Sequence, residues 1–352
     1  MPASSLTPPA PLRLRIDGDA LVANWRTWAR LSGPAACGAA IKANGYGLGA
    51  REVLARLSAA GCRDFFVATW AEAAALGSWP DEVTVSVLHG VREADMPAAL
   101  ASRARPVLNS PEQVARWRGT GRPCDVMVDT GMNRLGLTVE QAMSGVLDGL
   151  KIETLHSHLA CADEPSHPLN RAQLEASRAV FAAVPARRRS LANSAGVLLG
   201  RDYAFNLTRP GLALYGGVPG PGGEALVRTI TSPEAEILQL REVPAGEGVG
   251  YGAAWVTSRP TRVAIINLGY ADGVLRAWGP GGTAEIGGRA CAVLGRVSMD
   301  LVALDATDAD TWEGDWAALA YDLPTTSARV GLSQYELLTN LAGRFERCWN
   351  RS

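Results

Sequence analysis

Residues 39–50 read AAIKANGYGLGA. Lys42 closes a short apolar run, and Gly45, Gly47 and Gly49 follow it, interleaved with Tyr46. The next segment, AREVLARLSAAG, carries apolar residues at the three- and four-residue intervals of an amphipathic helix. A buried strand therefore ends in a cation and turns through glycines into a helix. Seven more short apolar runs follow: RDFFVAT, EVTVSVLHG, ARPVLNS, PCDVMVDT, IETLHSHLA, RRSLANS and LTRPGLALYG. Each is apolar through its middle, as expected of a strand buried on both faces of a parallel sheet. Helical segments lie between them. SPEQVARW offers Ser110 as N-cap, Pro111 at the first helical position and Gln113 to complete a capping box. TVEQAMSGVLDG repeats the device with Thr138 and Gln141, and Gly149 marks its stop. Eight strands alternating with helices outline an α/β fold, a (β/α)₈ TIM-like barrel.

The character changes after about residue 226. AEILQLREV, RVAIINLGY, GTAEIGG, RACAVLG and SMDLVALD are short β-branched or alternating runs punctuated by glycine and proline. They predict a mainly antiparallel β domain. The closing LSQYELLTNLAGRFERCW reads as helical after a proline–threonine loop. The expected organisation is a loose tail over 1–11, a barrel over 12–225 and a β domain over 226–352.

Bulk properties narrow the function. The 352 residues are 47% hydrophobic and 20% charged, with formal net charge −1. The densest basic cluster, ARRRSL at 186–191, is too short for a nucleic-acid surface. No run reaches the roughly 20 apolar residues of a membrane span. The six cysteines show no CxxC spacing, and no signal peptide is evident. The expectation is a cytoplasmic protein with reduced thiols.

Active sites of such barrels gather at the C-terminal ends of the strands. Lys42 ends the first, Arg134 follows the fifth, His158 closes the sixth, Ser194 the seventh, and Arg209 lies in the eighth. Each has a bland reading alone: a lysine snorkels to a rim, a histidine is satisfied in a core, an arginine pairs with a carboxylate. His156 and His158 form an HxH pair, but no third ligand sits at metal spacing, so no metal is expected. GYGLGA lacks the GxGxxG of a dinucleotide loop. Together the five suit an anionic, electron-accepting ligand.

These segments resemble a known family. AAIKANGYGLGA is similar to the pyridoxal-phosphate (PLP) lysine segment of alanine racemases, fold-type III PLP enzymes. FFVATWAEAAAL, VDTGMNRLG, SHLACADE, LANSAG, RPGLALYGG, VGYGAAW, NLGYADG, GRVSMD and QYELL follow in the family's order along nearly the whole chain. The resemblance implies racemisation of alanine on PLP, with a cell-wall role in D-alanine supply or a catabolic one left open. It implies that Lys42 carries PLP and serves as one base. Tyr46, Asn193, Ser194, Gly211, Leu212 and Tyr335 would surround the phosphate. Arg209 would face the pyridine nitrogen, with His158 beneath the ring. Tyr251, in VGYGAAW, would be the second base, contributed by the partner subunit of a homodimer. Arg134 and the Met299 N–H would meet the substrate carboxylate, and Tyr270 and Asp300 would line the entrance.

Three departures stand out. Met127 occupies the slot where the family often has a lysine modified by carbon dioxide, so Arg134 must be positioned otherwise, by an anion or an asparagine. Leu48 replaces a common histidine, and the chain ends in ERCW in place of arginine–tyrosine. Rival readings are a racemase of serine or a broader range, a non-catalytic PLP carrier, and a PLP decarboxylase. The segment carrying Tyr251 argues against the carrier, and Arg209 argues against the decarboxylase, which needs an acidic partner for a protonated pyridine.

Overall fold

The computed structural model describes residues 9–341 and 343–350. Most of the tail expected at 1–11 thus lies outside the described residues. The chain forms two units: Asp19–Arg228, and the residues before it joined to those from Thr229 onward.

The first unit is the barrel. Parallel strands run in the order Ala39–Ala40, Asp64–Val67, Thr84–Val87, Arg105–Leu108, Pro123–Asp129, Lys151–His156 and Arg188–Ser190. Leu207–Thr208 is the eighth, pairing in parallel with Ala36–Cys37. Backbone bonds extend both seams. Gly38 N–H donates to Thr208 O and Ala40 N–H to Pro210 O, each at 2.9 Å, and Arg209 N–H donates to Ala192 O at 2.9 Å. All eight predicted strands are present, several shorter than their apolar runs. Phe65, Val67, Val85, Val87, Val107, Leu108, Val126 and Leu155 are buried in them, as the uninterrupted apolar pattern requires.

Local signals set the helices, with two adjustments. Ser110 accepts from Gln113 N–H at 3.3 Å, but Gln113 Oε1 reaches back to Asn109 N–H at 2.9 Å, one residue beyond the expected box. The box of Thr138 and Gln141 has both arms, yet its helix, Val139–Met143, ends well before Gly149. Ser144 is its C-cap and Gly145 follows at φ 87°, the left-handed stop that Gly149 was expected to supply.

The second unit is mainly antiparallel. Its strands run Thr261–Ile266, Val302–Asp305, Arg289–Leu294, Thr283–Ile286, Trp316–Leu319, Thr231–Val243, Leu12–Ile16 and Glu346–Trp349. The long strand Thr231–Val243 also pairs with Thr261–Ile266, closing six of them into a ring. Three expectations change here. The first strand, Leu12–Ile16, belongs to this unit and not to the barrel, because it pairs with Thr231–Val243. ERCW is a strand and not a helix end, pairing in parallel with Leu12–Ile16. The proline–threonine segment is a helix, Leu323–Val330, capped by Asp322 accepting from Thr325 N–H at 3.0 Å. No helix among the described residues is long and apolar enough to cross a membrane.

Candidate active site

The chain leaves the first barrel strand in a left-handed turn. Ala43, Asn44, Gly45 and Tyr46 have φ of 53, 52, 64 and 54°. Gly45 N–H returns to Ile41 O and Gly47 N–H to Ala43 O, both at 2.8 Å. L-residues in this region cost about 1–2 kcal/mol each, and such strain persists only where the surroundings fix it. Glu72 does so, one oxygen accepting from Ala43 N–H at 2.8 Å and the other from Ala68 N–H at 2.6 Å. Asn44 Oδ1 adds a bond from Ala50 N–H at 3.0 Å. The backbone freedom expected of the glycines is thus carried as much by Ala43, Asn44 and Tyr46. The turn leaves the Lys42 amine partly buried. Burial lowers its pKa and the Arg134 charge lowers it further, against a smaller opposing effect of Glu72.

Tyr46 is buried and stacks on Tyr215, ring centroids 4.4 Å apart. Tyr215 hydroxyl donates to Ala40 O at 2.8 Å, which anchors the pair to the first strand. The Tyr46 hydroxyl lies where a Cβ on residue 211 would be, so only glycine fits at Gly211. Gly211 N–H and Ala213 N–H donate to Ser194 Oγ at 2.9 and 3.3 Å. Two accepted bonds leave that hydroxyl its own proton to donate. Ser194 opens the turn Ser194–Leu198, capped by Asn193 Oδ1 accepting from Gly196 N–H at 2.8 Å. Leu212 is buried beside it. Tyr46, Ser194 and Gly211 therefore meet in one place, where the Ser194 hydroxyl keeps a proton for an anion. Gly211→Ala should push the tyrosine out, costing about 1–3 kcal/mol as an overpacked site does. A calorimetric melt of both proteins checks this; an unchanged melting temperature contradicts it.

Arg209 is the centre of the barrel mouth. It is buried, and its Nη1 bonds His156 Nδ1 at 3.2 Å and Ser190 Oγ. Its Nη2 donates to Ser157 O at 2.6 Å and faces His158 Nδ1 at 3.4 Å. A guanidinium only donates, so both imidazoles must accept at Nδ1 and carry their proton on Nε2. Burial pushes Arg209 down to about 10, still protonated near neutrality. Burial also takes His156 down to about 4. It takes His158 to about 3, helped by the charges of Arg209, Arg134 and Lys42. All three cations act on one ring, so the structure gathers these four sequence-predicted residues.

Both histidines stay neutral in the fold but take up protons near pH 6.5 once unfolded. The unfolded state then binds more protons between pH 6.5 and about 4, so stability rises with pH across that window. Acidification from pH 6.5 to 5 should lower the unfolding free energy from urea titrations, by on the order of 1 kcal/mol per pH unit for each histidine. His156→Gln should flatten the slope; an equal slope in that variant would contradict the assignment.

Arg134 is exposed on a loop folded around Asp129. Gly131 and Met132 N–H donate to Asp129 Oδ1 and Arg134 N–H to Oδ2, all at 2.8 Å. Burial alone would raise this carboxyl, but these backbone donors outweigh it and lower its pKa. Met127 lies buried in the strand below. Asp129 thus orders the loop that carries Arg134 through bonds to its backbone. Among the described residues the Arg134 guanidinium forms no ion pair.

The remaining predicted residues belong to the β unit. Tyr270 N–H donates to Ser298 O and Ala271 N–H to Met299 O, each at 3.0 Å. Gly269 packs so closely on the Met299 carbonyl that a side chain has no room. Arg344 holds Asp272 with two bonds, at 2.6 and 2.9 Å, and Asp300 with one at 2.8 Å. Tyr270, Met299 and Asp300 are therefore one assembly. Tyr251 stands apart on the turn Tyr251–Ala253, 73% exposed. Tyr335 is in the first turn of the helix Gln334–Thr339, about half exposed. Sequence reasoning missed Glu72, Ser190, Asp129 and Arg344. All four lie inside quoted segments, Glu72 in FFVATWAEAAAL, Asp129 in VDTGMNRLG, Ser190 in RRSLANS and Arg344 in LSQYELLTNLAGRFERCW, but none is among the residues singled out at the strand ends.

Residues 16–219 match the family model for the alanine racemase N-terminal domain, and residues 230–349 that for the C-terminal domain. The biosynthetic alanine racemase of Agrobacterium fabrum is 42% identical, the match covering 96% of this chain and 93% of that one. The catabolic alanine racemase of the same organism is 39% identical, covering 96% and 91%. The crystal structure of alanine racemase from Bartonella henselae, with covalently bound pyridoxal phosphate, superposes with a TM-score of 0.89 at 36% identity, covering 97% of this chain and all of that one. The fold, the lysine turn and both domain matches agree, and this chain belongs to the alanine racemase family.

Proposed function

We propose that the protein interconverts L- and D-alanine on pyridoxal 5′-phosphate, as an isomerase with two proton carriers. The residues present fit that cofactor. Lys42 is a lysine with a lowered pKa, able to hold it covalently. Tyr46, Ser194 and the Gly211–Leu212 backbone would take its phosphate, with Asn193 and Tyr335 around them, and Arg209 would face its ring nitrogen. When bound, the cofactor withdraws electrons from the substrate's Cα and so acidifies its proton.

The chain's own groups do the rest. Arg209 keeps its proton at neutral pH, so it has none to spare for the ring nitrogen. That limits charge drawn into the ring and disfavours transamination. His158, neutral and bonded to Arg209, offers its Nε2–H. Arg134 would bind the substrate carboxylate with the Met299 N–H, while Tyr270 and Asp300 line the approach. Lys42 removes or returns the proton on one face of Cα, and Tyr251 does so on the other.

Tyr251 would come from a second copy of the chain, making a homodimer with shared sites. Its 73% exposure within its own unit leaves the phenol free to be offered to a second copy. The observation that carries the reading is the convergence of Lys42, Arg134 and Arg209 on the neutral His158. The purified protein in D₂O with a panel of L-amino acids tests it. Cα exchange with loss of optical rotation should be fastest for alanine; faster exchange of serine would shift the assignment to a serine racemase. No exchange with any amino acid would overturn it.

A further inference from the structure

The interior of the barrel holds a buried carboxylate and a neutral imidazole that the reaction above does not use. Barrel interiors are normally filled by layers of branched apolar residues. Here Asp125, on the fifth strand, is completely buried, as is His156 on the sixth. Burying a lone carboxylate costs several kcal/mol, so its neighbours must compensate. Ser86 Oγ donates to Oδ2 at 2.6 Å and Thr154 N–H to Oδ1 at 3.0 Å. Arg105 Nε stands 3.7 Å from Oδ2, and its Nη1 is 3.8 Å from Glu153. Burial alone would raise Asp125, yet these groups and His156 bring it down to about 2. It is an anion at every working pH.

Arg209 has the complementary need. It is a buried cation whose four polar partners, Ser190, Ser157, His156 and His158, are all neutral. Among the described residues no carboxylate touches it. The anion behind it is Asp125, one imidazole away: His156 Nδ1 accepts from Arg209 Nη1, and Nε2 stands 3.9 Å from Asp125 Oδ2. That gap is too long for a hydrogen bond, so the link is the attraction of the Asp125 charge for the dipole of a neutral imidazole. The proton that Arg209 forces onto Nε2 points its positive end toward the carboxylate. Phe66 closes the assembly, edge to face with His156 at 5.8 Å and 6.0 Å from the Arg209 guanidinium carbon.

We infer that Asp125 is a positioning residue for the reaction: through His156 it supplies the negative charge that holds the Arg209 guanidinium in place. The inference rests on the reading that Arg209 serves the cofactor's ring nitrogen. It adds that the orientation of Arg209 is set from inside the barrel, along the chain Asp125–His156–Arg209. Loss of either link frees the guanidinium without removing any group that touches substrate.

Asp125→Asn keeps the shape and can keep the bonds to Ser86 and Thr154 while losing the charge. Its kcat should fall about tenfold, as for removal of an orienting outer partner, with KM for alanine within about twofold. Nitrogen NMR of the cofactor-free protein gives a readout independent of turnover. In the wild type, His156 should be the neutral Nε2–H tautomer, and the Arg209 Nη signals, assigned by their loss in Arg209→Lys, should be resolved. In Asp125→Asn those Nη signals should average as the guanidinium rotates freely. An Nδ1–H His156 in the wild type, Nη signals unchanged in the variant, or an unchanged kcat would each overturn the proposal. If Asp125→Asn shows no cooperative melt, His156 provides the second pair. His156→Gln retains a donor and an acceptor and should stay within about threefold of wild-type kcat, while His156→Met should lose about tenfold. Equal kcat in these two would also overturn it. Because the spectra need neither cofactor nor substrate, they still decide the matter if the wild type proves not to racemise alanine.

Discussion

Lys42→Ala is expected to abolish racemisation, with kcat lower by about 10⁴-fold or more, the upper end of what a positioned acid–base group contributes. The visible absorption of the covalently held cofactor should vanish with it. Both effects follow from one amine. Lys42 is the lysine at the end of the first barrel strand, its pKa lowered by burial and by Arg134. A lowered pKa means a larger fraction of free amine at neutral pH, the form that attacks a carbonyl and accepts a proton. The fold has no evident understudy. The chain's other lysine, Lys151, opens the sixth strand, at the end of the barrel opposite the strands' C-termini. A variant that kept both the absorption and the rate would remove Lys42 from the mechanism.

Tyr251→Phe should be nearly as severe for a different reason. Only the hydroxyl is lost, so the cofactor should remain attached to Lys42 and the absorption should persist. The rate of L-to-D conversion should fall by about 10²–10⁴-fold. Racemisation needs one group to take the Cα proton and another to return it on the opposite face, so removing either stalls one direction at the protonation step. Unchanged rates in both directions would exclude Tyr251 as the second carrier. The tyrosine's own setting suits mobility of role more than structure. It sits on a glycine-flanked turn with Gly250 at φ 72° and Gly252 at φ 69°, and little of its ring is packed.

Much of this was legible in the sequence because two kinds of signal are local. The barrel strands were readable from uninterrupted apolar runs, since burial on both faces leaves no polar alternation to obscure them. The candidate residues Lys42, Arg134, His158, Ser194 and Arg209 could be singled out because barrel geometry ties function to strand ends. What escaped was long-range. Leu12–Ile16 looks like any first strand, and nothing within it says that its partners lie more than two hundred residues away at Thr231–Val243 and Glu346–Trp349. The ERCW strand was hidden likewise, because an edge strand of four residues carries too short a pattern. The helix Val139–Met143 ended early because Gly145 competes with Gly149, and propensity cannot rank two glycines four residues apart. The load on Ala43, Asn44 and Tyr46 was invisible for a deeper reason. Left-handed backbone is assigned to glycine by default, whereas here it is steadied by the bond that Ala43 N–H gives Glu72, from the helix Trp70–Ala75 beyond the second strand, and the one that Ala50 N–H gives Asn44.

The account turns on a site completed by two chains. Lys42→Ala and Tyr251→Phe proteins, each inactive, can be mixed, dissociated and reassociated, with heterodimer formation confirmed by mass. Every heterodimer should then hold one site with both carriers and one with neither. Random pairing of a twofold dimer should restore about a quarter of wild-type activity. Confirmed heterodimers that remain as inactive as the parent variants would contradict the shared site.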